Sequence, residues 1–327
     1  MRQKLTHIAL GTIILLGHFL LAANLCVYAS DVPHIAFTSD RDGNREIYIM
    51  DVRGENVQNL TNHPASDYFP TFSPNGRWMA FVSDRDGKNE IYLMNRYNKK
   101  IHRLTNNPKS VLNFFPAWSP DGQWIAFTSK QAGEYHIFKI DVDSGNLQQL
   151  TDEGYNMFPT WSPDGQQIAF YSSRGQGKDI FVMNANGKRL RRIIQRDHGG
   201  GSPNWSPDGK RIAYTLGIAG AGIYIMSPSG QNNRRVTPEN VWSYHPAWSL
   251  DGQWIAYEAE VENPWGNPKR DSNIYLVSSA GGKPRRLTDH PARDRFPAWA
   301  PAVPLSVSPT ANTQTTLWGK LKKSVRD

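Results

Sequence analysis

Cysteine is almost missing: the 327 residues contain one, Cys26. That excludes a disulfide framework and any cluster of cysteine metal ligands, so stability must rest on packing and hydrogen bonding. Long apolar runs are equally scarce. The only one, Ile8 to Cys26, follows Arg2 and Lys4 and precedes Val27-Tyr28-Ala29, the order of a secretory signal with a small-x-small cleavage site. Residues 1–29 are therefore expected to be removed on export to a periplasm, leaving no integral membrane span. Concentrated charge is lacking too. Of the net +8, Arg2 and Lys4 supply two and residues 303–327 a net three, which leaves three for everything between. A nucleic-acid partner is not expected of so dilute a charge.

What the chain has in abundance is a repeat. The unit Pro-x-Trp-Ser-Pro-Asp-Gly begins at Pro70, Pro116, Pro159, Pro203 and Pro246, and a shortened copy begins at Pro297. The spacings are 46, 43, 44, 43 and 51 residues. Each full copy is followed by an apolar-Ala-aromatic triplet such as Ile125-Ala-Phe127, then by a run such as Ile180-Phe-Val-Met183, then by a short segment ending in a pair such as Leu150-Thr151. Four short β-rich runs separated by turn chemistry are the signature of a propeller blade. In Ser-Pro-Asp-Gly, proline fixes φ, aspartate bonds its own backbone and glycine admits positive φ, which makes a hairpin.

The ends complete one another. Residues 34–61 hold three strands with no Pro-x-Trp strand before them, while Pro297 to Ala300 is that strand alone. Joined, they form the sixth blade and leave no free sheet edge. The fold expected is all-β, a six-bladed propeller of four-stranded blades over residues 32–301, closed by one C-terminal strand with three N-terminal strands. Residues 302–327 read as a Pro/Ser/Thr-rich linker and basic tail.

These blades resemble the TolB-type propeller repeat, the PD40 family of exported six-bladed proteins. They are also similar to the propellers of prolyl-oligopeptidase-like peptidases and oligogalacturonide lyases. The resemblance to TolB-like proteins implies a non-enzymatic scaffold that binds an envelope protein or peptide, a peptidoglycan-associated lipoprotein for instance. TolB-like proteins carry an α/β domain before the propeller. Here only a few residues separate the cleavage site from the first strand, so that domain is expected to be absent and its contacts are not carried over. The resemblance to the lyases implies an alternative, a metal-dependent polysaccharide lyase using His198, His245 and His290.

Most motifs have structural readings. The Trp of each Pro-x-Trp unit, with Phe72, fills the layer between blades. Asp40-Arg-Asp-Gly43 and Asp84-Arg-Asp-Gly87 look like calcium loops but lie in hairpins without the full loop, and read as hydrogen-bonded turns. His198-Gly-Gly-Gly201 copies a lipase oxyanion string, but no Gly-x-Ser-x-Gly elbow accompanies it. No catalytic residue, metal site or cofactor is assigned, and a monomer is expected.

Binding is expected at the channel mouth built by inter-blade loops and second-to-third-strand hairpins. Three residues before the leading prolines stand Asp67, Asn113, Asn156 and Asp294, and one step on are Tyr68, Tyr244 and Arg295. Phe precedes the proline in four blades, but Ser202 and His245 replace it in the other two. Tyr155, His198 and Trp242 fall on the same connections. An insertion around residues 258–272 carries Trp265. The surface favoured is the mouth between the Pro203 and Pro246 blades, with Trp242, Trp265 and Trp318 as the tryptophans outside the repeat.

Overall fold

The computed structural model describes residues 33–302 except 109, 132, 176, 195–198, 218–220, 240 and 262–270. Residues 32–302 form one compact unit. The expected signal and tail lie outside the described residues, as do His198, Trp265 and Trp318. Among the described residues, all helix and strand assignments are strand, and no helix is long and apolar enough to cross a membrane.

The strands pair as six four-stranded antiparallel sheets, as the repeat predicts. Blades 1 to 5 span residues 67–103, 112–149, 156–192, 200–235 and 241–286. In blade 6, Asp294–Ala300 pairs with His34–Ser39, followed by Glu46–Asp51 and Gln58–Asn59. Each blade packs its innermost strand against the next in chain order, and blade 6 returns to blade 1.

Two side chains that recur in most blades help them cohere: the hairpin serine, which blade 6 replaces with Ala300, and an outer threonine, which blade 3 replaces with Ile194. In the Ser-Pro-Asp-Gly hairpin of blade 3, Ser162 donates its hydroxyl to Asp164 at 2.5 Å and accepts the Gln167 N–H at 2.9 Å, while Asp164 accepts the Gln166 N–H at 3.0 Å. These bonds satisfy backbone donors that the tight turn leaves outside the ladder. At the outer edge, the threonine of each Leu-Thr or Val-Thr pair accepts a strand N–H fourteen residues upstream. Examples are Ile91 N–H to Thr105 Oγ1 at 2.9 Å and Ile137 N–H to Thr151 Oγ1 at 2.8 Å.

Between blades the core is aromatic and aliphatic. Trp161 is 8% exposed and packs with Ala126 and Ile137 of blade 2, donating its indole N–H to the Ala117 carbonyl at 3.2 Å. Trp118, Trp205 and Trp248 are buried likewise, while Trp299 is half-buried. The outer rim is stitched in a way the composition did not reveal. The outermost strands of blades 3, 4 and 5 are Arg191–Arg192, Arg234–Arg235 and Arg285–Arg286. The first arginine of each pair donates to a carbonyl in the last turn of the next blade: Arg191 to Pro228 at 3.0 Å, Arg234 to Ala280 at 3.2 Å and Arg285 to Val52 at 2.6 Å.

Candidate functional site: the channel mouth

Each innermost strand carries a bulge at the residue before its leading proline. That residue is left-handed in every blade: Phe69 at φ 58°, Phe115 at 52°, Phe158 at 56°, Ser202 at 47°, His245 at 52° and Phe296 at 53°. A left-handed non-glycine residue costs roughly 1–2 kcal/mol. Here the bulges gather side chains at the channel, where the aromatic rings meet. Ring centroids are 4.2 Å apart for Phe69–Phe115, 4.1 Å for Phe115–Phe158, 4.3 Å for His245–Phe296 and 4.4 Å for Phe296–Phe69. Phe158 and His245 come within 5.6 Å. Edge and tilted contacts of this kind add about 0.5–1.5 kcal/mol per pair beyond burial.

The result is an aromatic plug. On one side of it, toward Trp248 and Trp299, lies a cavity of about 280 Å³. The mouth lies on the other. Phe115→Gly is expected to destabilise the protein by about 1 kcal/mol less than Phe115→Ala, because glycine alone relieves the left-handed strain. Denaturant unfolding of the two variants checks this ordering, and alanine being the milder change would contradict it.

His245 is the polar member of the plug. Its Nδ1 stands 3.0 Å from Oε2 of Glu258, a side chain only 5% exposed, and the same oxygen accepts the Phe296 N–H at 3.2 Å. His290, by contrast, accepts the Ala292 N–H at 3.1 Å within its own turn. Among the described residues, no three His, Cys, Asp or Glu side chains form a group suited to a metal ion.

The short polar residues of the inner strands stand behind the mouth. Asp67, Asn113, Asn156 and Asp294 are fully buried. Asp294 accepts two bonds from Arg41 Nη2, at 2.9 and 3.0 Å, and Asp67 accepts two from Arg85 Nη2, at 3.1 and 2.9 Å. Asn113 donates to Glu90 at 2.9 Å, and Asn156 accepts the Ser172 hydroxyl at 2.7 Å. Tyr68 is buried as well, at 6% exposure. The two calcium-like hairpins are thus arginine turns: the guanidiniums of Arg41 and Arg85 also lie over Tyr48 at 4.5 Å and Tyr92 at 4.9 Å.

What the mouth does present is divided into two halves. Over blades 2 and 3, Phe114, Tyr135 and Tyr155 form an aromatic arc, with centroids 6.0 and 4.3 Å apart and Lys130 Nζ 5.3 Å over Tyr135. Tyr155 is 40% exposed; burial, and then its bond with Tyr135, push the phenol up to about 12. Over blades 5 and 6 the surface is charged. Trp242 and Tyr244 are half-buried and lie across the strand ladder from Glu260 and Glu258. Burial raises the Glu260 carboxyl above its ordinary value against the opposing pull of Arg295, whose Nη2 is 3.9 Å away. Burial also raises the Tyr244 phenol, and Glu260 and Glu258 add to it. Beside them stand Arg293 and Arg45.

The charged groups therefore gather at the Pro246 and Pro297 blades, one blade further round than the mouth favoured from the sequence. Arg293 occupies the repeat position of Tyr155 and Trp242, four residues before the leading proline, and that equivalence would have found it. Arg45 stands where blade 1 has Asn89, another asymmetry visible in the hairpins.

The sequence profile of the PD40 family, the TolB beta propeller domain, matches residues 5–153 and 152–267. The Tol-Pal system protein TolB of Geobacter sulfurreducens is 56% identical over 43 residues, which is 13% of this chain and 10% of that protein's length. The corresponding protein of Syntrophotalea carbinolica is 46% identical over a stretch of the same size. The solved structure of TolB from Acinetobacter baumannii superposes with a TM-score of 0.72 at 23% identity, covering 83% of this chain and 67% of that one. Oligogalacturonate lyase from Vibrio parahaemolyticus superposes at 0.57 with 16% identity, covering 78% and 74%. At such identities the structural likenesses show the fold alone. The in-phase blades and the profile match over most of the chain agree: this protein belongs to the PD40 family of TolB β-propeller domains.

Proposed function

We propose that this protein is an exported, non-catalytic scaffold of the cell envelope that docks a protein or peptide at the mouth of its propeller. The observation that carries this reading is the divided mouth over a plugged channel. Tyr155, Trp242, Tyr244 and Arg295 are accessible there above an aromatic floor, and the buried Arg41–Asp294 pair anchors the strand that carries Arg295. Tyrosine, tryptophan and arginine are the side chains that dominate protein–protein hot spots, because they join large contact area to a polar end. The curated relatives bear the name Tol-Pal system protein, which agrees with an envelope setting and a periplasmic location.

The test is capture from a periplasmic and outer-membrane extract by the wild type, by Trp242→Ala, by Tyr155→Ala and by Leu147→Ala, the last at an exposed outer-strand position. Each mouth variant is expected to retain a specific partner at least about tenfold less well, the scale of one hot-spot side chain, and Leu147→Ala to retain it fully. Equal recovery by all four proteins would refute the surface. Release of unsaturated uronides from oligogalacturonate by the purified protein would overturn the non-catalytic reading.

A further inference from the structure

Above the plug, between blades 6 and 1, the mouth holds a recess of about 220 Å³. Phe69 and Phe296 form its floor, edge to face at 4.4 Å. Its lining carries three guanidiniums, those of Arg45, Arg293 and Arg295, against the single carboxylate of Asp40. That carboxylate is engaged, since Asp40 Oδ1 accepts the Arg293 N–H at 2.8 Å. Arg295 donates through Nε to Ser272 at 3.2 Å, and among the described residues its carboxylate contact is the long one to Glu260, at 3.9 Å. Arg45 is exposed, lies 5.6 Å over the Tyr68 ring and has no carboxylate within ion-pair distance among the described residues. Thr38, which also lines the recess, accepts the Phe69 N–H through Oγ1 at 3.3 Å.

We infer that this recess captures the side-chain carboxylate of an acidic residue, glutamate above all, on the docked protein partner. The inference rests on the reading of the mouth as a protein-docking surface and names the chemistry it selects. A planar guanidinium meets a carboxylate in a two-point, charge-assisted contact, and the exposed Arg45 with Arg295 across the recess favours an anion over any neutral group. The aromatic floor suits the two methylenes of glutamate. A uronic acid carries the same charge, but it would turn ring hydroxyls onto Phe69 and Phe296, which cannot bond them, and that is costly.

The probes are N-acetylglutamate α-amide and N-acetylglutamine α-amide, which differ only in the side-chain carboxylate, titrated into the whole protein while the arginine Nε–H resonances are followed by NMR. The glutamate probe is expected to shift the Arg45 and Arg295 signals saturably, and the glutamine probe to leave them in place. Arg45→Gln, at an exposed site, should keep the wild-type melting temperature and bind the glutamate probe about tenfold more weakly, the scale of one charge-assisted bond. Equal shifts with both probes, no shift with either, or tighter binding of galacturonic acid than of the glutamate probe would overturn the inference. Mouth-dependent partner capture together with silent arginine resonances would remove this recess and leave the docking reading standing. Loss of that capture with intact glutamate binding would do the reverse.

Discussion

Asp294→Ala is expected to be among the most damaging single changes to the propeller. It strips a fully buried carboxylate from the Arg41 guanidinium, which is itself only 15% exposed and cannot regain water without leaving its place over Tyr48. Removing one partner of a buried pair costs about 3–5 kcal/mol, which for a domain of this size lowers the melting temperature by roughly 6–15 °C. The pair joins residues 253 apart in sequence and lies beside the seam where Asp294–Ala300 meets His34–Ser39, so hydrogen exchange should rise first in those two strands. The double variant Asp294→Ala/Arg41→Leu removes the stranded charge as well and is expected to be more stable than the single change. Calorimetry decides it: a double variant no better than the single would mean that the orphaned guanidinium is not the cause.

Gly230→Ala is expected to have an effect of similar size by a different route. Gly230 lies at φ 83° in the last turn of blade 4, and a Cβ there would stand 2.0 Å from the Ile193 carbonyl oxygen of blade 3. Neither backbone can yield without parting the outer rim, where Arg191 donates to Pro228 of the same turn. Left-handed strain and overlap together are worth about 2–5 kcal/mol. Gly145 supplies the control. It lies at φ 71° in the corresponding turn of blade 2 with nothing within 4 Å of an added Cβ, so Gly145→Ala should cost only the strain, about 1–2 kcal/mol. Equal losses for the two variants in urea unfolding would show that the contact between blades is not what makes Gly230 necessary.

Blade number, strand order and closure were legible because they depend on features written once per repeat: the Ser-Pro-Asp-Gly turn, the Ile-Ala-Phe triplet and the missing strand at each end. The plug was not. Strand alternation assumes a side-chain period of two, and the bulge at Phe69 and its equivalents breaks that period where the register shifts. Phenylalanine before proline was visible in four blades, but nothing in the letters says that the chain turns left-handed there. Asp67 and Asp294 misled in the opposite sense. Short polar residues near a mouth look available to a ligand, and only the fold shows Arg85 and Arg41 already bound to them from hairpins that resemble calcium loops. The recess was hidden because Arg45 and Arg295 come from opposite ends of the chain and meet only when the ring closes.

That closure also sets the order of events when the chain folds. His34–Ser39 is made early, yet one of its two partners, Asp294–Ala300, is made some 260 residues later. Until then Ile35, Ala36 and Phe37, which finish without solvent contact, belong to a bare edge strand able to recruit another chain. Pairings so distant in sequence form slowly. The sixth blade is thus the last to mature, and the interval before it does is when the protein depends most on dilution or on a chaperone.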